Sequence, residues 1–291
     1  MHEENQWKYV IEPPQRRIEL NFRELWRYRD LVLVFVKRDF VSRYKQTILG
    51  PLWAIVNPVF TTVIFTIVFG NLAKLPTMDT AQTGKIIVPG FLFYMTGNIL
   101  WGYFSETLKN IANVFVKNAD TMKKVYYPRL ASPVAIAVFN LATLFIRMAL
   151  FVILLLIYMY RGAVVIQPSA MLIMLPMLIV ELVLFSVGTG LIVSAFTAKY
   201  RDAIMLVDFG LQLGLYVTPV AYGLQLVPES WLGVYMLNPV TSILTTMRCL
   251  CFGEGFFQMR YFIQGWIITI AVFLIGIILF NRTEKNFVDT V

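Results

Sequence analysis

The sequence predicts an all-α polytopic membrane protein with six transmembrane helices. It also predicts an N-terminal amphipathic interface helix and short re-entrant helices between the fifth and sixth spans. Two observations lead to this fold class. Hydrophobic residues make up 58% of the 291 residues and the mean hydropathy is +0.69, whereas a soluble domain is about half apolar. Six segments are also apolar over the length that a bilayer requires, which is roughly 20 residues.

The N-terminal arm, residues 1–50, is polar at its start and amphipathic near its end. Its first residues lack the apolar core of a cleavable signal, so we expect the arm to remain in the cytosol. Between Phe22 and Tyr44, one side of a helical wheel is mostly apolar and another is basic, which is typical of a helix in the membrane interface. Leu31, Val34, Phe35 and Val41 are apolar but lie outside the apolar side. That side comprises Phe22, Leu25, Trp26, Val32, Leu33, Val36, Phe40 and Tyr44.

An interface helix is one of two interpretations of this arm. Arg29 and Arg43 interrupt the apolar side, so a cytosolic helix that packs on a partner protein is the alternative. Interfacial helices combine basic residues with bulky apolar ones, and five residues of the arm fit that role. They are Trp26, Arg38, Arg43, Tyr44 and Lys45.

Six apolar segments follow the arm and form one membrane domain, residues 51–291. The predicted spans cover residues 51–72, 86–108, 130–160, 169–196, 203–222 and 261–280. Pro176 is a candidate kink in the fourth span. No internal repeat or soluble domain is visible in the sequence.

The stretch between the fifth and sixth spans, residues 223–259, is semi-apolar and interrupted by proline and glycine. No uninterrupted run of about 20 apolar residues fits between these breakers. Two short helices that enter the membrane from outside and return are therefore favoured over a seventh span. Helix-start signals at Pro228-Glu229 and at Asn238-Pro239 support this division.

The distribution of basic residues predicts the orientation. Most of the 25 Lys and Arg residues lie in the arm, after the second and fourth spans, and after the sixth. The positive-inside rule then places both termini in the cytosol, as an even number of spans requires. In a membrane chain the net charge of +8 reflects this asymmetry, so no nucleic-acid partner is predicted.

Residues for enzymatic chemistry are scarce. His2 is the only histidine, which excludes a histidine-based metal site or catalytic triad, and we predict no metal site and no catalytic residue. Cys249 and Cys251 are separated by one residue and are interpreted as unpaired. Gly84-Lys85 is not part of a phosphate-binding loop, because Asp79 stands where the first glycine belongs. A membrane glycosyltransferase is the enzymatic alternative, although no paired acidic motif supports it.

Motifs spread over nearly the whole chain carry a family resemblance. The first runs from Arg43 to Pro58 and is read together with residues 24–31 upstream. The others are Tyr127-Pro128-Arg129, Tyr200-Arg201-Asp202, and Asn238-Pro239 with Arg248. In this order they resemble the ABC-2 type permeases that export O-antigen, capsular polysaccharide and teichoic acid.

The loop from Asn113 to Arg129 combines a short amphipathic pattern with charges. One interpretation is a solvated cytosolic loop. The resemblance instead implies a coupling helix over about residues 113–127 that docks into a cytosolic ATPase and passes its movement to the spans. The candidate coupling residues are Lys117, Asp120, Lys123, Lys124, Tyr127, Pro128 and Arg129.

Three ionisable side chains, Arg147, Glu181 and Asp208, lie inside predicted spans, where charges are costly and usually paired. Counting about 1.5 Å per residue from the cytosolic ends puts Arg147 and Glu181 at similar depth. We therefore predict an ion pair between the third and fourth spans, with a substrate contact as the alternative. Asp208 lies near the cytosolic end of the fifth span, where Arg201 or another loop cation can pair with it.

Aromatic residues in spans either face lipid and form interfacial belts or stack on sugar rings inside a conduit. Both interpretations stay open for the aromatic residues among the channel candidates. Residues in the interrupted stretch are expected near the outer mouth, where they can gate it. The channel and gate candidates are Trp101, Tyr103, Tyr216, Tyr222, Trp231, Asn238 and Arg248.

The resemblance implies the membrane subunit of an ATP-driven exporter of lipid-linked polysaccharide, on an undecaprenyl carrier, in a bacterial inner membrane. It further implies two copies of this chain with two copies of a separate cytosolic ABC ATPase. ATP and Mg²⁺ belong to that ATPase, and no cofactor is expected in this chain. A permease for a drug or a lipo-oligosaccharide is the alternative within the same family.

Overall fold

The computed structural model describes residues 26–75, 88–118, 127–161, 173–200, 202–253 and 255–290. Helices are the only regular secondary structure in these residues. In chain order they are α1 (Arg29–Tyr44), α2 (Trp53–Phe65), α3 (Gly90–Ala112), a single turn (Val114–Lys117), α4 (Ala131–Tyr160), α5 (Leu175–Thr197), α6 (Ala203–Val217), α7 (Glu229–Tyr235), α8 (Pro239–Phe252) and α9 (Met259–Thr290).

Several helices have the length and composition of membrane spans. Among the described residues, four segments are long and apolar enough to cross a bilayer: Gly50–Leu72, Ala131–Tyr160, Leu175–Thr197 and Met259–Thr283. They coincide with the first, third, fourth and sixth predicted spans. The structure therefore confirms an all-helical membrane protein. The two other predicted spans correspond to α3, which carries polar and charged residues, and to α6, which is short.

The first span changes its helical geometry along its length. The span begins with a 3₁₀ turn, Gly50–Leu52, which leads into α2. Beyond Phe65 the helix continues as wide π turns over Thr66–Leu72. The Thr62 hydroxyl donates to the Pro58 carbonyl at 2.6 Å. It also accepts a hydrogen bond from Asn98 of α3 at 3.1 Å, which ties the two helices together. Local π turns often mark functional positions in helices.

Proline sets three helix boundaries that differ from the predicted ones. Pro176 occupies the first turn of α5, where its missing N–H has no partner to lose, so it starts this helix and does not kink it. Pro89 precedes α3, whose first residue is Gly90. α6 ends at Val217 because Thr218, which stands before Pro219, is extended. The fifth predicted span, residues 203–222, therefore extends beyond the end of α6.

α3 is the central helix of the described structure. Its middle is enclosed by α2, α4, α5, α6 and α8. α5 and α9 run parallel and cross closely at Gly188, where an added Cβ would lie 2.7 Å from the Cα of Phe273. Glycine lets the two backbones meet at this crossing, since any side chain would separate them.

α1 packs on the start of α4 with a side that coincides only in part with the predicted one. Its buried residues are Val32, which belongs to the predicted apolar side, and Phe35, which does not. Leu33 and Phe40, which belong to the predicted apolar side, are 62% and 45% exposed. The packed side is selected by the aromatic ring of Tyr127, which lies 5.3 Å from that of Phe35 and which helical periodicity in α1 cannot reveal.

Candidate functional site

A charged network joins α1, α2, α3 and α4 at one end of the bundle. Arg147 Nη2 of α4 lies 2.9 Å from Glu106 Oε1 of α3, and its Nε donates to the Ala54 carbonyl of α2 at 3.2 Å. Arg43 Nη1 of α1 approaches the other oxygen of Glu106 at 3.7 Å. Gly102 leaves space for the Arg147 guanidinium, because a Cβ there would lie 3.0 Å from Nη1. The network thus connects α1 to three helices of the bundle.

The predicted ion pair between Arg147 and Glu181 does not form. Arg147 is directed at α3 and α2, whereas neither carboxylate oxygen of Glu181 has a hydrogen-bond partner among the described residues. The prediction rested on the similar depth of the two residues along their helices. The rotation of α4 about its axis decides which neighbour Arg147 faces, and depth does not report that rotation. Glu106, the true partner, was missed. The need of a buried arginine for a nearby carboxylate was the signal that could have identified it.

A second ion pair links α3 to α6. Lys109 Nζ lies 2.7 Å from Asp208 Oδ1, and both side chains are partly exposed. Asp208 therefore pairs with a cation as predicted, but that cation, Lys109, lies within α3 and not on a loop. Arg201, the other candidate, lies outside the described residues.

The end of the predicted coupling sequence contacts α1. Tyr127 is buried, its ring meets Phe35 edge-on, and its hydroxyl lies 3.3 Å from the Ser132 hydroxyl. Pro128 and Arg129 follow as the turn that leads into α4. Asp120, Lys123 and Lys124 lie outside the described residues. Of the predicted coupling helix, the described part is the turn that ends at Lys117.

A groove of about 470 Å³ runs between α1 and the end of α3. Arg38, Arg43, Lys117 and Asp39 are among its lining residues, so cations outnumber anions. Such a lining attracts anionic groups. Arg38 pairs with Asp39 at 2.9 Å and stacks on the Phe35 ring, which fixes its orientation at the rim.

The other predicted interface residues lie on or near the exposed side of α1. The Trp26 side chain is 72% exposed. The Tyr44 ring lies 4.9 Å from that of Phe40, and both approach Phe139 of α4. Lys45 follows the last residue of α1 and is exposed. An exposed apolar residue such as Trp26 suits a helix at a lipid boundary.

Arg248 of α8 is a buried structural anchor. Its Nη1 donates to the Pro219 carbonyl at 2.7 Å, and its Nη2 donates to the carbonyls of Val220 at 2.9 Å and Phe93 at 3.3 Å. The guanidinium also lies 3.5 Å from the centroid of the Phe93 ring. Arg248 was predicted at an outer mouth as a gate residue. In the structure it is buried against the carbonyls of Pro219 and Val220, which follow the end of α6, and against the Phe93 carbonyl of α3.

Asn238 has a comparable structural role at the start of α8. Its side-chain oxygen accepts from the Val240 N–H at 3.1 Å, which caps the helix, and its Nδ2 donates to the Thr218 hydroxyl at 3.0 Å. The Tyr222 hydroxyl donates to the Val217 carbonyl at 3.0 Å. α7 and α8 begin at the residues that the helix-start signals predict.

The family described as ABC-2 type transporter matches residues 30–252 of the chain, from α1 to the end of α8. The chain belongs to the ABC-2 type transporter family. The resemblance inferred from the sequence motifs is thereby confirmed. Members of this family are membrane subunits of transporters that work with an ABC ATPase, and the apolar helices agree with a multi-pass membrane protein.

Curated relatives of this ABC-2 transporter chain share one name. The chain is 26% identical over 265 residues to the O-antigen export system permease protein RfbA of Klebsiella pneumoniae. The alignment covers 89% of the chain and 94% of the relative. A second protein of that name and organism is 25% identical over 262 residues. The RfbA protein of Myxococcus xanthus is 26% identical over 231 residues, covering 78% of the chain and 82% of the relative.

The aromatic candidates of this ABC-2 chain fall into two groups. Trp101 and Tyr103 are buried: Trp101 packs on Phe104 of the same helix, and the Tyr103 hydroxyl donates to the Ala137 carbonyl at 3.4 Å. Neither offers a ring face to a ligand in this conformation, because protein side chains cover both. Tyr216 and Trp231 are 58% and 59% exposed, so their rings are accessible.

Proposed function

We propose that this chain is the membrane subunit of an ATP-driven exporter that moves a lipid-linked, O-antigen-like polysaccharide across the bacterial inner membrane. The observation that carries the proposal is the set of relatives named as O-antigen export permeases. One of them is matched over 94% of its own length. The family match independently covers the region from the interface helix to the interrupted segment.

In this proposal α2 with its π turns, α3, α4, α5, α6 and α9 are six spans, and both termini are cytoplasmic. The basic arm and basic loops support that orientation. α7 and α8 form a re-entrant segment on the outer side. Irregular backbone within a membrane requires internal partners, and the hydrogen bonds of Arg248 and Asn238 supply them.

The ATPase would dock at the cytosolic side of α1 and at the loop that contains Lys123 and Lys124. Two contacts can pass its movement into the bundle. The Phe35–Tyr127 contact leads from α1 to α4, and the Arg43–Glu106–Arg147 network leads to α3. The groove with a basic lining lies beside both contacts.

The full transporter would contain two copies of this chain and two ATPase subunits that bind ATP and Mg²⁺. Its substrate would be a polysaccharide on an undecaprenyl carrier. Exposed rings support a glycan path, since sugar faces stack on aromatic side chains. Tyr216 on α6 and Trp231 on α7 are such rings.

Deletion of the gene in its host tests the proposed substrate. We expect loss of the surface glycan and accumulation of the lipid-linked polymer inside the cell, both restored by the wild-type gene. Complementation with Lys123→Glu/Lys124→Glu should fail although the protein reaches the membrane, because the docking loop would carry reversed charge. A deletion strain with normal surface glycan and a changed drug or lipo-oligosaccharide efflux would replace the proposed substrate.

A further inference from the structure

Glu181 of α5 is the most deeply buried carboxyl among the described side chains. Its residue is 0% exposed, and neither oxygen has a hydrogen-bond partner in the described residues. Oε1 points at α9, where a Cβ added to Gly265 would lie 2.7 Å from it. The glycine therefore provides the space that the carboxyl group occupies.

Two other buried polar atoms without partners in the described residues lie on α9, close in sequence to Gly265. Trp266 Nε1 and Thr269 Oγ1 are buried, and neither is hydrogen-bonded within the described part of the chain. Trp266 follows Gly265 directly, and Thr269 is one turn further on the same face as Gly265. Ser242 of α8 also borders the site, 3.6 Å from the same Cβ position. The site thus lies where α5, α8 and α9 meet.

No described cation neutralises Glu181. On the elements packed against α5, the charged groups are engaged elsewhere or exposed. Arg147 pairs with Glu106, Lys109 pairs with Asp208, and Arg248 donates to carbonyls. Arg260, at the start of α9, is exposed, and Cys251 of α8 is a neutral thiol at neutral pH. An ionised carboxylate in this position would be both buried and unpaired, which costs several kcal/mol.

We propose that Glu181 carries a proton and that its carboxyl group, together with Thr269 Oγ1, binds buried water at this junction. A buried water needs two to four polar partners, and these groups offer the Thr269 hydroxyl and both oxygens of the carboxyl group. The bound proton and water hold α8 and α9 against α5. The proposal does not depend on which substrate is transported.

Infrared spectroscopy of the purified full-length protein in nanodiscs tests the protonation directly. We expect the carbonyl band of a protonated carboxylic acid at neutral pH, absent from Glu181→Gln and retained in Glu229→Gln. Glu229 is the matched control, because it is exposed at the start of α7. A spectrum without that band, or the same band in Glu181→Gln, would overturn the proposal.

The pH dependence of the free energy of unfolding provides a second test, which compares the wild type with the two variants. The folded chain holds a proton that the unfolded chain releases at neutral pH, so stability falls as pH rises from about 4.3, the pKa of an unperturbed glutamate, until Glu181 loses its proton in the folded chain as well. Glu181→Gln should release one proton fewer on unfolding, whereas Glu229→Gln should match the wild type. If Na⁺ at constant ionic strength stabilises the wild type but not Glu181→Gln, the site binds a cation and the proposal is wrong.

Discussion

At the residue scale, Glu106 interacts with two arginines that differ in burial. The Arg147 side chain is 7% exposed and lies 2.9 Å from the carboxylate, whereas the Arg43 side chain is 36% exposed and 3.7 Å away. Burial strengthens the attraction between opposite charges, and solvent screens the exposed pair. The two contacts therefore contribute differently to stability.

Replacement of each arginine by glutamine tests this difference. Arg147→Gln leaves Glu106 without its buried partner and should lower the free energy of unfolding by about 3 kcal/mol. Arg43→Gln should cost less than about 1 kcal/mol, because its pair is exposed and long. Unfolding by SDS titration in mixed micelles measures both. Equal losses would mean that the Arg147 pair is screened like a surface pair.

Arg248 is the second residue with a specific prediction. Arg248→Lys keeps the charge but removes the planar fork, so the carbonyls of Pro219, Val220 and Phe93 cannot all be satisfied. We expect a loss of about 2 kcal/mol or more and faster amide hydrogen exchange in residues 218–222. Arg260→Lys, at an exposed position, is the control. Unchanged exchange in Arg248→Lys would show that the charge alone is sufficient.

At the element scale, the crossing of α5 and α9 depends on glycine. Gly188→Ala would place a Cβ 2.7 Å from the Cα of Phe273, so the helices must separate, at a cost of about 1–3 kcal/mol. Gly210→Ala is the control, because nothing lies within 4 Å of a Cβ there, and it should be neutral or stabilising by up to about 1 kcal/mol. Thermal unfolding in detergent compares the two variants. A neutral Gly188→Ala would refute a tight crossing.

The packed side of α1 leads to another prediction at this scale. Phe35→Ala removes a buried ring from Tyr127 and should cost about 3 kcal/mol and reduce export. Leu33→Ala, at a position that is 62% exposed, should cost less than about 0.5 kcal/mol. Surface glycan and unfolding are measured for both variants. Stronger loss in Leu33→Ala would favour the side that the sequence predicts.

The sequence predicted elements better than the contacts between them. The starts of α7 and α8 were predictable because Pro228, Asn238 and Pro239 act locally, through fixed dihedrals and a cap. The partner of Arg147 and the packed side of α1 were not, because both depend on how helices rotate about their axes. α1 has apolar residues on more than one side, so periodicity alone could not select Phe35 over Leu33.

At the scale of the whole molecule, the six-span proposal predicts which ends are accessible from each side. In a background with Cys249 and Cys251 replaced, Gly233→Cys on α7 should react with a membrane-impermeant thiol reagent from outside, because this position is exposed. Arg282→Cys near the end of α9, also exposed, should react only after the membrane is permeabilised. Outside labelling of Arg282→Cys would indicate an odd number of spans.

The Arg248 anchor constrains how the molecule can move. One guanidinium binds carbonyls of α3 and of the turn after α6, while its own backbone belongs to α8. A hinge motion between these elements would break the hydrogen bonds from Arg248 and leave several carbonyls without a donor. In an environment without water, each carbonyl would need a new donor. α8 and this turn therefore travel with α3 as a rigid body. If a conduit opens beside them, we expect it to open by displacement of the neighbouring helices around that body.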